Sequence, residues 1–442
     1  MLRAYLLTFV TYSFLILGAI FLRGAFLAAS VPLVAYLLYA YFRRTVKSDL
    51  QATRTLEYDR VRPKAPVVIT IEVFNAGETL DEVTFYDELP SSLHVIDGEA
   101  IQTFHLPAGE RVHWQYTVQA ERGYYTFPTL MARVGDAFGL SPTTHALPTE
   151  GQLFILPLPK KLKDITIRPR RTKVYAGNIP ASTGGAGIDF FDVREYQMGD
   201  SQQWINWRAS ARHPSTLFSN VYEQERVADI GIIIDGRAVV NRIGRDEGLF
   251  EHTIAAASTL ADAFLSRGDR VGLLLYGNMI DWTLPGYGKM QREKILRVLA
   301  QATIGDSQVF AYLDYLPTPL FPPKSQIVLI SPLNNTDSAS LLSNPLSRND
   351  TASLLKLRAL GYELMVVSPN PVLYETNLLG DGEDFELATR ILAIERELAL
   401  RRVRQMGIRL LDWDTSIPFD QVAAQVLYGP VSTAPTLRGV AR

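Results

Sequence analysis

The sequence predicts a multidomain protein. It reads as an N-terminal transmembrane helical hairpin over 1–46, an immunoglobulin-like β-sandwich over 50–158 and a linker and junction over 159–226. An α/β domain over 227–430 and a disordered tail over 431–442 follow. Three observations carry that reading. Two long apolar runs open the chain, a series of short β-branched segments separated by turns comes next, and from Asp229 onward strand and helix patterns alternate.

The first run, Ala4–Leu22, is apolar without a charge, and the second, Ala25–Phe42, comes after Arg23-Gly24. A membrane span needs about 20 apolar residues. The sequence therefore predicts two spans with a tight turn between them, and Pro32 as a kink in the second. A signal peptide is the competing reading, but no small-residue cleavage site separates the runs. Arg3 precedes the hairpin and Arg43, Arg44 and Lys47 follow it. The positive-inside bias then predicts a two-pass protein of the inner (cytoplasmic) membrane, with the lipid bilayer as a partner and the soluble domains facing the cytoplasm.

Composition narrows the function. A formal net charge of −2 offers no basic field, so nucleic acid is not an expected partner. The absence of cysteine excludes disulfides, thiolate metal sites and cysteine nucleophiles. The histidines are scattered, without the close pairs that bind zinc. No cofactor is expected.

In the β region, Val67–Phe74 is strand-like and Asn75-Ala76-Gly77-Glu78 is a turn. Further strands are predicted at Val83–Tyr86, Ile101–Leu106, Val112–Val118, Tyr124–Phe127, Leu130–Val134 and Leu153–Leu156. Short strands at this spacing suggest a sandwich, with a spacer or protein-binding role. A basic stretch, Lys160–Lys173, comes next, and a solvated linker competes there with contact to a membrane or an acidic partner.

Gly184–Arg226 crowds aromatics among charges: Asp189, Phe190, Phe191, Asp192, Arg194, Glu195, Tyr196, Gly199 and Asp200, then Trp204, Trp207, Arg208 and Arg212. Asp200 with Gln203 reads as a capping box opening a helix over Ser201–Arg212. Trp204 and Trp207 would share one face and pin the helix, with Arg208 and Arg212 on another stripe. Asp189, Asp192, Glu195 and Asp200 could be catalytic acids or oxygen ligands. The neighbouring arginines make ion pairing and capping the expected role. Gly184-Gly185-Ala186-Gly187 lacks the phosphate-loop pattern.

In the α/β region the strands are Asp229–Asp235, Arg270–Tyr276, Met279–Leu284, Gln326–Ser331, Glu363–Ser368 and Ile408–Asp412. The helices are Phe250–Ser266, Met290–Gln301, Thr351–Leu360 and Asp384–Met406. The pattern predicts a mostly parallel sheet with helices on both faces. Ligands of such sheets bind beyond the strand carboxyl ends, here Asp235, Tyr276 and Ser331–Asn335.

The segments DFFDVREYQMGD and WINWRASAR, the strand ending at Asp235 and GDRVGLLLYG at Gly268–Gly277 resemble the domain-of-unknown-function 58 family. The two apolar runs and Glu121–Leu140 are similar to its longer members. The resemblance implies a von Willebrand factor A-like, Rossmann-like C-terminal domain. It also implies an adaptor role beside a MoxR-type AAA+ ATPase. The chain departs from the pattern at the metal loop, where the A-domain's Asp-x-Ser-x-Ser becomes Asp235-Gly236-Arg237-Ala238-Val239. Arg237 brings positive charge where a cation would sit, so the metal site is expected to be degenerate. The family's Gly-Asp-Asp-x-Arg-x-Ile-Asp-Trp becomes Gly199-Asp200-Ser201-Gln202-Gln203-Trp204-Ile205-Asn206-Trp207, with three charged positions neutral.

The functional expectation is a membrane-anchored, non-enzymatic adaptor in complex assembly or envelope-related processes, binding other proteins that include a MoxR-type ATPase. A metal-dependent adhesion-type receptor and a hydrolase using the junction carboxylates are the alternatives. No Ser/His/Asp or HExxH arrangement accompanies those acids. The structural and interaction candidates are Asp189, Arg194, Glu195, Tyr196, Gly199, Asp200, Trp204, Trp207, Arg208, Arg212 and Arg237.

Overall fold

The computed structural model describes residues 2–42, 49–135, 143–162, 173–213, 215–242, 248–277, 280–305, 320–322, 325–333, 348–379 and 383–427. The tail over 431–442, most of the basic stretch (163–172) and the side chain of Asp189 lie outside them. The chain divides into two compact units, Met1–Leu156 and Pro157–Arg442.

The first unit opens with helices α1 (Leu2–Phe21) and α2 (Gly24–Phe42), with Leu22 at φ +49° between them. Phe14 packs on Phe26 with ring centroids 6.3 Å apart. The transmembrane hairpin expected over 1–46 is corrected here. Among the described residues no helix is long and apolar enough to cross a membrane. Thr8, Thr11, Tyr12 and Ser13 interrupt the first run, and Ser30, Tyr36 and Tyr39 the second.

The strands that follow are β1 (Leu50–Leu56), β2 (Arg60–Val61), β3 (Val67–Asn75), β4 (Leu80–Asp87), β5 (His94–Gly98) and β6 (Ile101–Leu106). β7 (Arg111–Gln119), β8 (Gly123–Thr126), β9 (Thr129–Val134), β10 (Thr143–Pro148) and β11 (Gln152–Ile155) complete the set. They form sheets ordered β1-β3-β7-β5, β10-β9-β4-β6 and β2-β11-β8. The expectation of an immunoglobulin-like pair of sheets is corrected to three. β2 pairs in parallel with β11 and β8 pairs antiparallel with it, which takes these strands out of the two larger sheets. Period-2 alternation builds the core: Val67, Ile69, Ile71 and Val73 of β3 are all buried. They pack with Phe85, Tyr116, Leu130 and Leu153.

In the second unit β12 (Lys173–Glu195) pairs antiparallel with β13 (Phe218–Val227) through several register shifts. Between them lie a 3₁₀ turn (Gln202–Trp204) and a one-turn helix, α3 (Trp207–Ser210). A sheet follows, built from β14 (Asp229–Asp235), β15 (Arg270–Tyr276), β16 (Ile280–Gly286), β17 (Gln326–Ile330), β18 (Glu363–Pro369) and β19 (Arg409–Trp413). Its order is β16-β15-β14-β17-β18-β19. The Rossmann-like sheet expected from the resemblance is corrected to a mixed one. β16 follows β15 directly and pairs antiparallel on the edge, while the other five strands are parallel.

The helices of this unit are α4 (Ala238–Asn241), α5 (Gly248–Ser266), α6 (Gly288–Gln301), α7 (Arg348–Ala359), α8 (Pro371–Leu379), α9 (Glu383–Gln405) and α10 (Phe419–Leu427). Every residue of β14 is buried, which explains its unbroken apolar sequence. Ile233, Leu329 and Val366 on one sheet face share a cluster with Leu354 and Leu357 of α7 and with Ala399, Leu400 and Val403 of α9. The alternate residues, Ile232 and Ile234, point to the opposite face. The expected linker is partly anchored here: the Lys160 backbone N–H donates to Thr259 of α5 (3.2 Å) and its ammonium pairs with Asp420 of α10 (3.1 Å).

Candidate functional site

The aromatic-charged segment folds back on the start of β13. The Tyr196 N–H donates to the Leu217 carbonyl (2.8 Å) and the Asn206 N–H to the Phe218 carbonyl (2.8 Å). The Phe218 N–H donates to Ser210 Oγ (2.9 Å). These bonds make a lobe out of residues 194–221.

The helix expected over Ser201–Arg212 is not continuous, and Asp200 does not open it. Ser201, next in the chain, makes no side-chain cap. Asp200 instead turns backward, accepting from the Gln197 N–H (3.0 Å) and from Arg194 (2.6 Å). Those two bonds, the backbone one first, hold its carboxyl below its ordinary pKa. Gly199 makes this turn possible with φ +109°, a conformation that a side chain would strain. The Tyr196 hydroxyl donates to the Asp200 carbonyl (3.1 Å).

Asn206 caps the one-turn helix, accepting from the Ala209 N–H (2.9 Å) while its amide donates to Asn220 (2.7 Å). A carboxylate could do the first but not the second, so the neutral residue at this position has a physical reason. The expected tryptophan face is also corrected. Trp204 is half-buried in the 3₁₀ turn, but Trp207 is 68% exposed, because the chain breaks between them and turns its ring outward. Arg208, Arg212, Met198 and Leu217 are exposed as well. Asp192 is exposed and accepts from the Val193 N–H (2.8 Å), and Arg194 donates to the carbonyl of exposed Glu195 (3.0 Å). Asp189 lies within β12. The structure thus joins Arg194, Tyr196, Gly199 and Asp200 in one turn, and leaves Arg208 and Arg212 outside it.

The second cluster sits on the sheet rim. The chain leaves β14 toward β15 on one side, and β17 flanks it on the other, so the crevice between β14 and β17 is a topological switch point. Asp235, fully buried, ends β14 there. Arg237 forks onto it, Nε to Oδ1 (2.9 Å) and Nη2 to Oδ2 (2.8 Å). The Arg237 N–H also reaches Oδ1 (3.2 Å), and Ser331 Oγ donates to Oδ2 across the crevice (2.7 Å). The guanidinium lies 5.5 Å from the centroid of the Tyr276 ring. Asn241 donates to the carbonyls of Asp235 (2.7 Å) and Arg237 (2.9 Å), locking the loop. Gly277 lets β15 pass close by: a Cβ there would lie 2.6 Å from the Gly236 carbonyl oxygen.

These residues do not fit a divalent cation. Both oxygens of Asp235 already accept strong donors, and an arginine supplies the positive charge. Among the described residues no cluster of three histidine or carboxylate side chains could hold a metal ion.

A third group escaped the sequence reading. Arg396 of α9 donates to Asp412 at the end of β19 (2.7 Å), to Ser368 Oγ (2.9 Å) and to the Pro332 carbonyl (2.6 Å). The available signal was an arginine at the buried spacing of Ala399, Leu400 and Val403, together with a strand ending in aspartate.

The lobe and the rim fall within one match. Residues 192–354 fit the model of the family described as Protein of unknown function DUF58. Over these residues the chain resembles the DUF58 family. A relative, the Uncharacterized protein YeaD of Bacillus subtilis (strain 168), is 23% identical over 278 residues, covering 62% of this chain and 67% of its own. Among solved structures, proximal thread matrix protein 1 from the mussel byssus covers 46% of this chain and 46% of its own at 11% identity and a TM-score of 0.27. A CARDB domain from Pyrococcus furiosus covers 24% of this chain and 93% of its own at 13% identity and a TM-score of 0.18. At such scores neither structure bears on function. Both the turn at Asp200 and the fork at Asp235 belong to the DUF58 segment.

Proposed function

We propose that this protein is a non-enzymatic adaptor that binds another protein through the lobe of residues 194–221. The observation that carries the reading is Trp207, a large aromatic held 68% exposed on a lobe pinned by backbone hydrogen bonds. Tryptophan and arginine are the side chains that most often anchor protein interfaces, and Arg208 and Arg212 of the same lobe are exposed too. The lobe's acids serve its own turn: Asp200 is committed to Arg194 and to the Gln197 N–H. The family resemblance supplies the partner, a MoxR-type AAA+ ATPase.

The test is a binding titration of the purified chain against a MoxR-type ATPase from the same organism. Trp207→Ala should weaken binding by at least about tenfold, since interface tryptophans contribute about 2 kcal/mol or more. Its melting temperature should stay near wild type, because the ring is exposed. Unchanged affinity in that variant, or no binding by the wild type, defeats the proposal.

A further inference from the structure

Helix α9 has two apolar faces. Arg396, Ala399, Leu400 and Val403 face the sheet and are buried. On the other side Leu387, Ile391, Ile394 and Leu398 are 66%, 50%, 63% and 51% exposed. Their spacing alternates four and three residues, the heptad spacing of a coiled-coil seam. With Leu387 and Ile394 at d and Ile391 and Leu398 at a, the buried Arg396 and Val403 fall at f, directly opposite the seam. A surface helix needs only one apolar stripe to hold its domain, so this second stripe is in excess of what the fold requires.

We propose that the outer face of α9 is a self-association seam, on which a second copy of this chain packs its own α9 parallel and in register. The flanking charges choose the occupant. In a parallel pair each g position faces the e position five residues on in the other helix. Here g and e are Arg390 with Glu395, and Glu397 with Arg402, both pairs of opposite sign and all on the described surface of α9. The seam is therefore complementary to itself. An antiparallel pairing on the same apolar layers keeps only the Arg390–Glu397 pair. Glu397 currently accepts from Arg401 (2.9 Å) and Arg404 (3.4 Å) along its own exposed helix face, contacts that exchange readily for an intermolecular one.

So short a seam could not hold two isolated peptides, because helix nucleation is costly. Here α9 is already ordered on its sheet, so association orders only side chains. The seam ends at Arg401, the next d position, which makes the dimer small and reversible.

The chain contains no cysteine, which allows a direct test on the full-length protein. Ile391→Cys and Ile394→Cys, prepared singly and oxidised mildly, should each form a disulfide-linked dimer. The yield should exceed that of the exposed control Lys289→Cys by at least about tenfold, since the seam raises the local thiol concentration. Arg390→Glu added to Ile391→Cys should reduce cross-linking, and Glu395→Arg on top of it should restore it. Three results would overturn the proposal: cross-linking no greater than the control, cross-linking only when the two single variants are mixed (an antiparallel pair), or an Ile391→Cys thiol that neither cross-links nor reacts with maleimide because another segment covers the stripe.

Discussion

In the β-rich unit Arg54 of β1 reaches Asp87 at the end of β4, 33 residues away, with both side chains fully buried. In the mixed-sheet unit Arg237 forks Asp235, two residues before it. The chemistry is the same and the settings differ. Arg54 also donates to the carbonyls of Phe127 (2.5 Å) and Thr129 (3.3 Å), and the Tyr116 hydroxyl donates to Asp87 (2.5 Å). Burial first, and the Asp87 carboxylate next, hold that hydroxyl well above its ordinary pKa. This fork ties several strands together inside a core, whereas the fork at Asp235 closes a crevice at the end of a strand, where sheets of this kind receive ligands. A buried ion pair is therefore no sign of a site in itself. What separates the two is position: one joins distant strands, and the other closes a crevice at the end of a strand.

Removing each arginine should sharpen that contrast. Arg54→Ala leaves Asp87 charged and buried, and should cost about 3–5 kcal/mol in a denaturant titration. Replacing the pair together, as Arg54→Met with Asp87→Leu, should recover most of that loss, because apolar residues of similar volume can substitute for a buried pair. Arg237→Ala should cost less, about 2 kcal/mol, because Asp235 keeps the Ser331 hydroxyl and a backbone N–H. Equal losses would erase the distinction between tie and rim.

The smallest effect lies in the lobe. The Asp200 carboxyl is lowered in the folded protein, so it contributes stability above its unfolded value, about 3.9, and that contribution is lost as pH falls through the lower folded value. Asp200→Asn should therefore melt lower than wild type at neutral pH, and the gap should close in acid. A gap that is constant with pH would mean that the turn does not depend on the charge.

Much of the mixed-sheet unit was legible in the sequence. Asp229–Asp235 and Arg270–Tyr276 are strands at the predicted bounds, because fully buried strands are continuously apolar. β1 and β5 escaped notice. β1 alternates with polar residues and buries an arginine at its centre, and β5 is exposed throughout. In the lobe, periodicity suggested one helix over Ser201–Arg212. The backbone instead makes two single turns, since Ile205 is drawn into a bridge with Ser219 and Asn206 starts a new cap. That is a tertiary contact, and no local pattern encodes it. At the rim, an arginine two residues beyond the aspartate that ends the strand could be read directly. The fork geometry and the help from Ser331, 96 residues from Asp235, could not.

The central claim is that the Arg237 guanidinium holds the place of a cation at Asp235. Calorimetric titration of magnesium into the wild type and into Arg237→Ser tests it most directly. The account predicts no saturable binding and no change in melting temperature for the wild type, and a magnesium-dependent rise in melting temperature once Arg237 is replaced. Stoichiometric binding by the wild type that disappears in Asp235→Ala would contradict it.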